Sequence, residues 1–504
     1  MAPIGDKTEI LPLSVETVPQ STELDAAPES ATQHPVTITE TGFHYKSPGL
    51  FRRSIEHFAI FLITILFLRV IAVEPYGVPT GSMAPSLIGN HFVKACPRCH
   101  YPVVLGQSEP VGGHPTGFCP NCGKSNIDMQ EVRTVPGDRV LVDKTIYHLR
   151  HPRRWEIAVF MNPSDLSKPY VKRVIGLPGE KLLIKNGDIW VNGELIRKSF
   201  SEVQECMIPI FDADFCPPGG WYRRWYSENQ EPSFNATATV APPEWLKIYH
   251  KELAIHAKDS TLPRLAGYWQ TSIDQNHVEV LKDQFSYNGD PTGNSHYAIH
   301  EFILSFEAQF QGSGELIAGI NDGANQVRVA LSTNDQANVG KFLVDQKLVS
   351  TFPHQTLGND GKVMVELSFV DRRLIVAING RPCFTHDLPV ATSFQDVRSP
   401  CVVGARGIDT HFRNIRIYRD IYYRPTGQHA VQKELPIAQN HYYLLGDNSA
   451  NSDDSRSWKI PTVPERNFLG KPFFLHQPSK ANGWGGIKST RGFQIDWQRV
   501  RLLR

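Results

Sequence analysis

The pattern of apolar and polar positions divides the chain into regions of different character. One sustained apolar run stands out, Phe58 to Val73, broken at Arg69. A bilayer span needs about 17–25 mostly apolar residues, and with its flanks this run predicts a transmembrane helix over 51–74. Arg69 falls near the far end, where a long cationic side chain reaches the head groups. The competing reading is a buried core helix. Lys46, Arg52 and Arg53 precede the run and Glu74 follows it, and the next lysine or arginine is Lys94. That asymmetry places the N-terminus inside and everything after Val73 outside. A cleavable leader fits less well, because the run begins far from Met1 and lacks a small-x-small exit. Residues 1–50, rich in Pro, Thr, Ser, Glu and Ala without a sustained period, read as a disordered cytoplasmic tail.

Beyond the span the apolar period shortens to two. Ile157 to Phe160, Tyr170 to Ile175, Lys181 to Ile184 and Ile189 to Val191 read as short strands, and Asn186-Gly187 and Asn192-Gly193 as hairpin turns. From 205 to 424 the character changes. Trp221, Trp225, Trp245 and Trp269 come early. Strands at Phe302 to Phe310, Val327 to Leu331, Val363 to Phe369, Leu374 to Ile378 and Phe412 to Tyr418 follow. Many strands at regular spacing predict an inserted β-sandwich. The expected fold is therefore mostly β: an antiparallel core in two parts, 75–204 and 425–504, behind one N-terminal helix, with a jelly-roll-like insertion between the parts.

At 504 residues the chain exceeds one compact domain, and a net charge of +1 gives no global basic field for nucleic acid. The cysteines add one element. Cys96-Pro-Arg-Cys99 and Cys119-Pro-Asn-Cys122 are separated by nineteen residues. Two such knuckles present four thiolates to one tetrahedral site, so residues 95–124 predict a small structural zinc ribbon. A pair of disulfides is the alternative. His100 and His114 are spare ligand candidates that read more simply as surface residues. Cys206, Cys216, Cys383 and Cys401 are dispersed, and in an oxidising compartment they allow two disulfides.

The candidate chemistry lies just past the span. Ser82 stands in Pro79-Thr-Gly-Ser-Met-Ala-Pro-Ser-Leu87, a loop fixed by Gly81 and by the extended bias before Pro85. A serine hydroxyl needs a base, and no histidine motif supplies one. Lys172, in Tyr170-Val-Lys-Arg-Val-Ile175, sits among apolar strand residues that disfavour its charge, with Arg173 alternating to the other face. A third block, Gly446-Asp447-Asn448, is followed by Ser452-Asp453-Asp454-Ser455-Arg456. These three blocks in this order behind one span resemble the type I signal peptidases, membrane-anchored Ser-Lys proteases. Gly137-Asp138, Val463-Pro-Glu465 and Leu469-Gly-Lys471 match further blocks of that family's β core.

The resemblance implies a Ser82–Lys172 dyad, with the Thr80 hydroxyl and the Ser82 N–H as oxyanion donors. It implies that Ser452 holds the lysine and that Asp454 and Arg456 form a structural ion pair. It implies cleavage of preprotein signal peptides after small-x-small sites, with Met83 and nearby strand apolars as candidate lining of shallow pockets; Met83 reads equally as plain core. No cofactor serves the chemistry, and any zinc is structural. Membrane lipid and the secretion translocon are the other expected partners. The 205–424 pattern also resembles the concanavalin-like jelly rolls, without a diagnostic motif; a spacer or docking role is favoured there over carbohydrate binding. Two other readings stay open: a Ser-Lys processing protease with a narrow client, and a tethered lectin-like protein with a degenerate peptidase core.

Overall fold

The computed structural model describes residues 49–107, 115–218, 224–228, 242–249, 251–272, 277–289, 296–334, 338–357, 362–477, 479–480, 494–495 and 499–503. The expected tail, His114 and Trp221 lie outside them. The chain divides into two compact units, Met1–Leu62 and Ile63–Arg504.

In the first unit the described residues open a helix that runs over Leu50–Ile71. The side chains of Leu50, Phe51, Phe58, Phe61 and Ile63 are all exposed. Among the described residues no helix is long and apolar enough to cross a membrane; the side chains of residues 67–71 lie outside the description.

The second unit is built from antiparallel sheets. The sheet that carries the site orders its strands Val73–Gly77, Arg139–Asp143, Phe468–Gln477, Ile157–Asn162, Asp165–Gly176, His441–Leu445, Val463–Pro464, with Arg501–Leu502 added beside Phe468–Gln477. Strands distant in sequence thus lie side by side, and the two expected core segments close into one sheet. A four-stranded sheet built on Lys181–Lys185 and Asp188–Val191 stands next in sequence. Its turns are those the sequence predicts: Asn186 and Gly187, like Asn192 and Gly193, take positive φ, as tight hairpin loops require.

Between these parts the chain forms two larger sheets, of eight and seven strands. Phe302–Phe310 pairs with Lys362–Val370 and Thr410–Arg419 in one, and Glu315–Asn321 pairs with Gln326–Ser332 and Cys401–Arg406 in the other. Alternate residues from each, such as Leu304, Phe306, Leu316 and Val329, are buried in one shared core. The alternation seen in the sequence is this inward face. The entry helix Phe200–Cys206 starts at a capping box formed by Ser199 and Glu202 and packs Val203 against Ile303 and Val370.

Candidate active site

The Ser82 loop is pinned by what it buries. Ala84 N–H donates to Gly81 O and Leu87 N–H to Met83 O, a tight turn that drives Met83 and Leu87 into a core with Val140, Val142 and Val159. Ser82 is left half-buried and facing a groove. Of the two readings of Met83, pocket lining or core, the structure takes the second: the side chain is fully buried and anchors the turn directly beside the reactive serine. Gly81 answers to a close neighbour: a Cβ there would lie 1.9 Å from the Tyr287 ring.

Lys172 reaches the loop from the strand Asp165–Gly176, in register with Ala158. Its side chain is buried, and Nζ lies 2.6 Å from Ser82 Oγ. Burial lowers its pKa to about 8, although the carboxylates of Asp454, Asp453 and Asp447 pull it back up. At that value a useful fraction of the lysine is neutral near pH 7–8 and able to accept the serine proton.

The third block holds the other two together. Asn448 N–H donates to Ser82 O, and Asn448 Nδ2 donates to Gly81 O at 3.1 Å. Gly446 leaves room for both sides of the site: a Cβ there would lie 2.2 Å from Ser452 Oγ and 2.5 Å from Ser82 O. Asp447 receives Arg173 side-on, Nε to Oδ1 at 2.8 Å and Nη2 to Oδ2 at 2.6 Å, with both side chains fully buried. Arg173 also donates to Trp155 O and to Glu205 O. The alternation of the strand therefore puts the candidate base on one face and its structural anchor on the other.

Asp454 and Arg456 form a second buried side-on pair, and Asp454 also accepts the Gly446 N–H. Against the burial that would raise it, the Arg456 guanidinium and then Lys172 hold the Asp454 carboxyl below its usual range. Ser452 lies beside Gly446, but its buried hydroxyl has no hydrogen-bond partner among the described residues, Lys172 included. Thr80 is exposed at the groove, two residues from Ser82.

Two contacts escape any reading of the sequence. Asn288 exchanges side-chain hydrogen bonds with Asn448 at 2.7 and 2.8 Å, and Tyr287 packs on Gly81 while donating to Asn90 O. Both sit in the short turn Ser286–Asn288, far from Ser82 and Asn448 in sequence. Nothing local marks them.

The groove before Ser82 and Lys172 has a volume of about 520 Å³, with Tyr76, Val78, Val140, Val159, Pro169 and Val171 among its walls. Lys168–Lys172 pairs on one side with Ile157–Asn162, while Leu445–Tyr443 begins its pairing on the other side only at Arg173. The near edge of that stretch is therefore open to an added strand.

The four cysteines of the paired motif meet. Their sulfurs all lie within 4.8 Å of one another, with Cys96–Cys122 at 3.6 Å and Cys99–Cys119 at 3.5 Å. A disulfide needs about 2.05 Å, whereas a zinc tetrahedron with bonds of about 2.3 Å has edges of about 3.8 Å. The backbone N–H of Arg98 donates to Cys96 Sγ and Asn121 Nδ2 to Cys99 Sγ. The donor set thus fits a structural metal. Asn121 also ties this element to the two-sheet body, through Phe215 O and the Asp212 N–H. Cys206, Cys216, Cys383 and Cys401 are free thiols in the structure, not the disulfides an oxidising compartment would allow.

Comparison with known proteins gives a family. The family described as signal peptidase, peptidase S26, matches residues 127–290 and 385–476, together about half of the chain. Lys172 and the block from Gly446 to Arg456 lie inside the match and Ser82 lies before it. Signal peptidase I of Rickettsia conorii is 28% identical over 142 residues, 28% of this chain and 43% of the relative. That of Rickettsia typhi is 28% identical over 147 residues, 29% of this chain and 46% of the relative. The chain thus spans less than half the length of these relatives. A solved carbohydrate-binding module of Bacillus subtilis aligns with 38% of this chain and 94% of its own at 9% identity, with a TM-score of 0.21. At that score the likeness says nothing about ligand or fold.

Proposed function

Because this chain belongs to the signal peptidase family, peptidase S26, we propose that it is a membrane-tethered serine endopeptidase that removes signal peptides from exported proteins, with Ser82 as nucleophile and Lys172 as general base. The observation that carries this reading is the 2.6 Å approach of Lys172 Nζ to Ser82 Oγ, two groups 90 residues apart in sequence. The signal peptide lies along the open edge at Lys168–Lys172 and brings its scissile carbonyl to Ser82. Neutral Lys172 takes the Ser82 proton as Oγ attacks. The resulting oxyanion is met by the Ser82 N–H and the Thr80 hydroxyl. Lys172 passes its proton to the leaving amine, then takes one from water as the acyl-enzyme is hydrolysed. Ser452 fills the space beside Gly446 and helps fix the lysine by packing. The exposed apolar helix Leu50–Ile71 is the tether, with the catalytic unit outside the cytoplasmic membrane.

The test is cleavage of a preprotein bearing an Ala-x-Ala site, in detergent, by the full chain. A cut directly after the second alanine is expected, and a folded enzyme that leaves this substrate intact would overturn the reading. The rate should also follow the lysine. With a pKa of about 8, kcat/KM should rise about tenfold per pH unit below pH 8 and level off above it. A profile flat between pH 6 and 9 would remove Lys172 as the base.

The cysteine cluster is a zinc site in this reading. Metal analysis of the purified chain should find one zinc per chain, and chelation at neutral pH should lower the melting temperature. A metal-free chain of unchanged stability would count against it.

A further inference from the structure

A second cluster lies where the small sheet meets the two-sheet body. Asp188 opens the strand Asp188–Val191, Glu301 precedes the strand Phe302–Phe310, Asp371 sits in the turn before Arg373–Ile378, and Asp420 follows Thr410–Arg419. One carboxylate oxygen from each of Asp188, Glu301 and Asp371 lies within 4.8 Å of the other two. Asp188, Glu301 and Asp420 line one small, partly open space of about 20 Å³, beside the Arg372–Asp322 pair. That is room for one water or one ion and nothing larger.

The charges do not balance. Lys198 Nζ is the one cation hydrogen-bonded to these four carboxylates among the described residues, donating to Asp371 and to Asp420 Oδ2. The other cations nearby are spent elsewhere. Arg372 pairs with Asp322 and donates to Asn325 and Pro389 O. Arg373 pairs with Asp387. Arg419 donates to the backbone carbonyls of Asp283, Gln284 and Asp420. Four carboxyl groups share one ammonium, with Asp371 and Asp420 buried and Asp188 and Glu301 half-buried, a crowding of like charge that a counter-charge would relieve.

An independent sign points into the same space. Asp420 is only 4% exposed, yet its Oδ1 has no hydrogen-bond partner. A buried carboxylate oxygen left unpaired beside two further carboxylates is what a removed cation would leave.

We propose that Asp188, Glu301, Asp371 and Asp420 bind one calcium ion that joins the small sheet of the catalytic unit to the inserted two-sheet body. All the donors are oxygens, which select a hard cation over zinc. Calcium accepts bidentate carboxylates and irregular geometry, while magnesium keeps an ordered shell of waters for which this space has no room. The ligands come from four separate segments of the chain, so the ion staples elements that meet only in the folded state.

Calcium should be titrated into the full chain, stripped of divalent ions and resupplied with one equivalent of zinc to fill the thiolate site. The expected result is one calcium bound per chain and a melting temperature raised by several degrees at roughly a hundredfold excess over the dissociation constant. Asp188→Asn should abolish that rise. Its calcium-free melting temperature should equal or exceed that of the wild type, because a repelling charge has been removed. No calcium-dependent rise in the wild type, or an equal rise in Asp188→Asn, would overturn the proposal. Should Asp188→Asn fail to fold, Glu301→Gln is read in the same way. The readout is stability and stoichiometry, so it stands apart from the identity of the peptidase substrate.

Discussion

Ser82→Ala and Lys172→Ala are each expected to lower the rate of signal-peptide cleavage by roughly 10⁴- to 10⁶-fold, the range seen when one member of a nucleophile–base unit is lost. The double variant should be no slower than either single one, because the two groups act as a unit. Lys172 allows a sharper version. Its folded pKa of about 8 lies below the ordinary lysine value of 10.5. Between those two values the unfolded chain binds more protons than the folded one, so stability rises with pH across that window. Below pH 8 the lysine is charged in both states, and the full cost of burying it is paid. Lys172→Met keeps the length and removes the charge. It should therefore be inactive yet more stable than the wild type at pH 7, by roughly 1–3 kcal/mol after the lost contact with Ser82. Urea denaturation and cleavage assays on the same preparation read both quantities. Near-normal turnover in any of these variants would end the dyad assignment, and a destabilised methionine variant would show that the lysine contributes more by its contacts than its burial costs.

Asp447→Ala should be the most destabilising single change near the site, at about 3–5 kcal/mol. The mechanism is the stranding of Arg173. That guanidinium has no solvent access and two of its hydrogen bonds end on Asp447. Removing the carboxylate leaves a buried cation held only by Trp155 O, Glu205 O and the Ser86 hydroxyl. The Asp447→Leu, Arg173→Met double variant should recover much of the loss, since apolar residues of similar volume replace a buried pair at little net cost. A denaturation midpoint for Asp447→Ala close to that of the wild type would contradict the account.

The difference between these residues shows what the sequence made readable. The strand Phe302–Phe310 was visible at its observed bounds because a period of two survives wherever one sheet face is buried. Lys172 was visible because its apolar neighbours on the strand signal the burial that lowers its pKa. The block from Gly446 to Arg456 was visible as a pattern, yet its division of labour was not. Asp447 turned out to face Arg173 and Asn448 to clasp Gly81 and Ser82, while the Ser452 hydroxyl stays unbonded. Met83 stayed open between groove and core because a residue beside a nucleophile can face either, and only the turn at Gly81–Leu87 decides which. Tyr287, Asn288 and the Asp188 cluster were out of reach, since their partners lie far off in sequence and no periodicity links them.

The turn Ser286–Asn288 carries a consequence for heredity. This turn, distant in sequence, supplies a ring that rests on Gly81 and an amide that completes the grip of Asn448. It is therefore no cassette. A recombination event that exchanged the stretch carrying this turn for another would also replace part of the wall behind the nucleophile, and its excision would leave Gly81 without the ring that faces it. Substitutions at 81, 287, 288 and 448 are therefore expected to track one another across descendants.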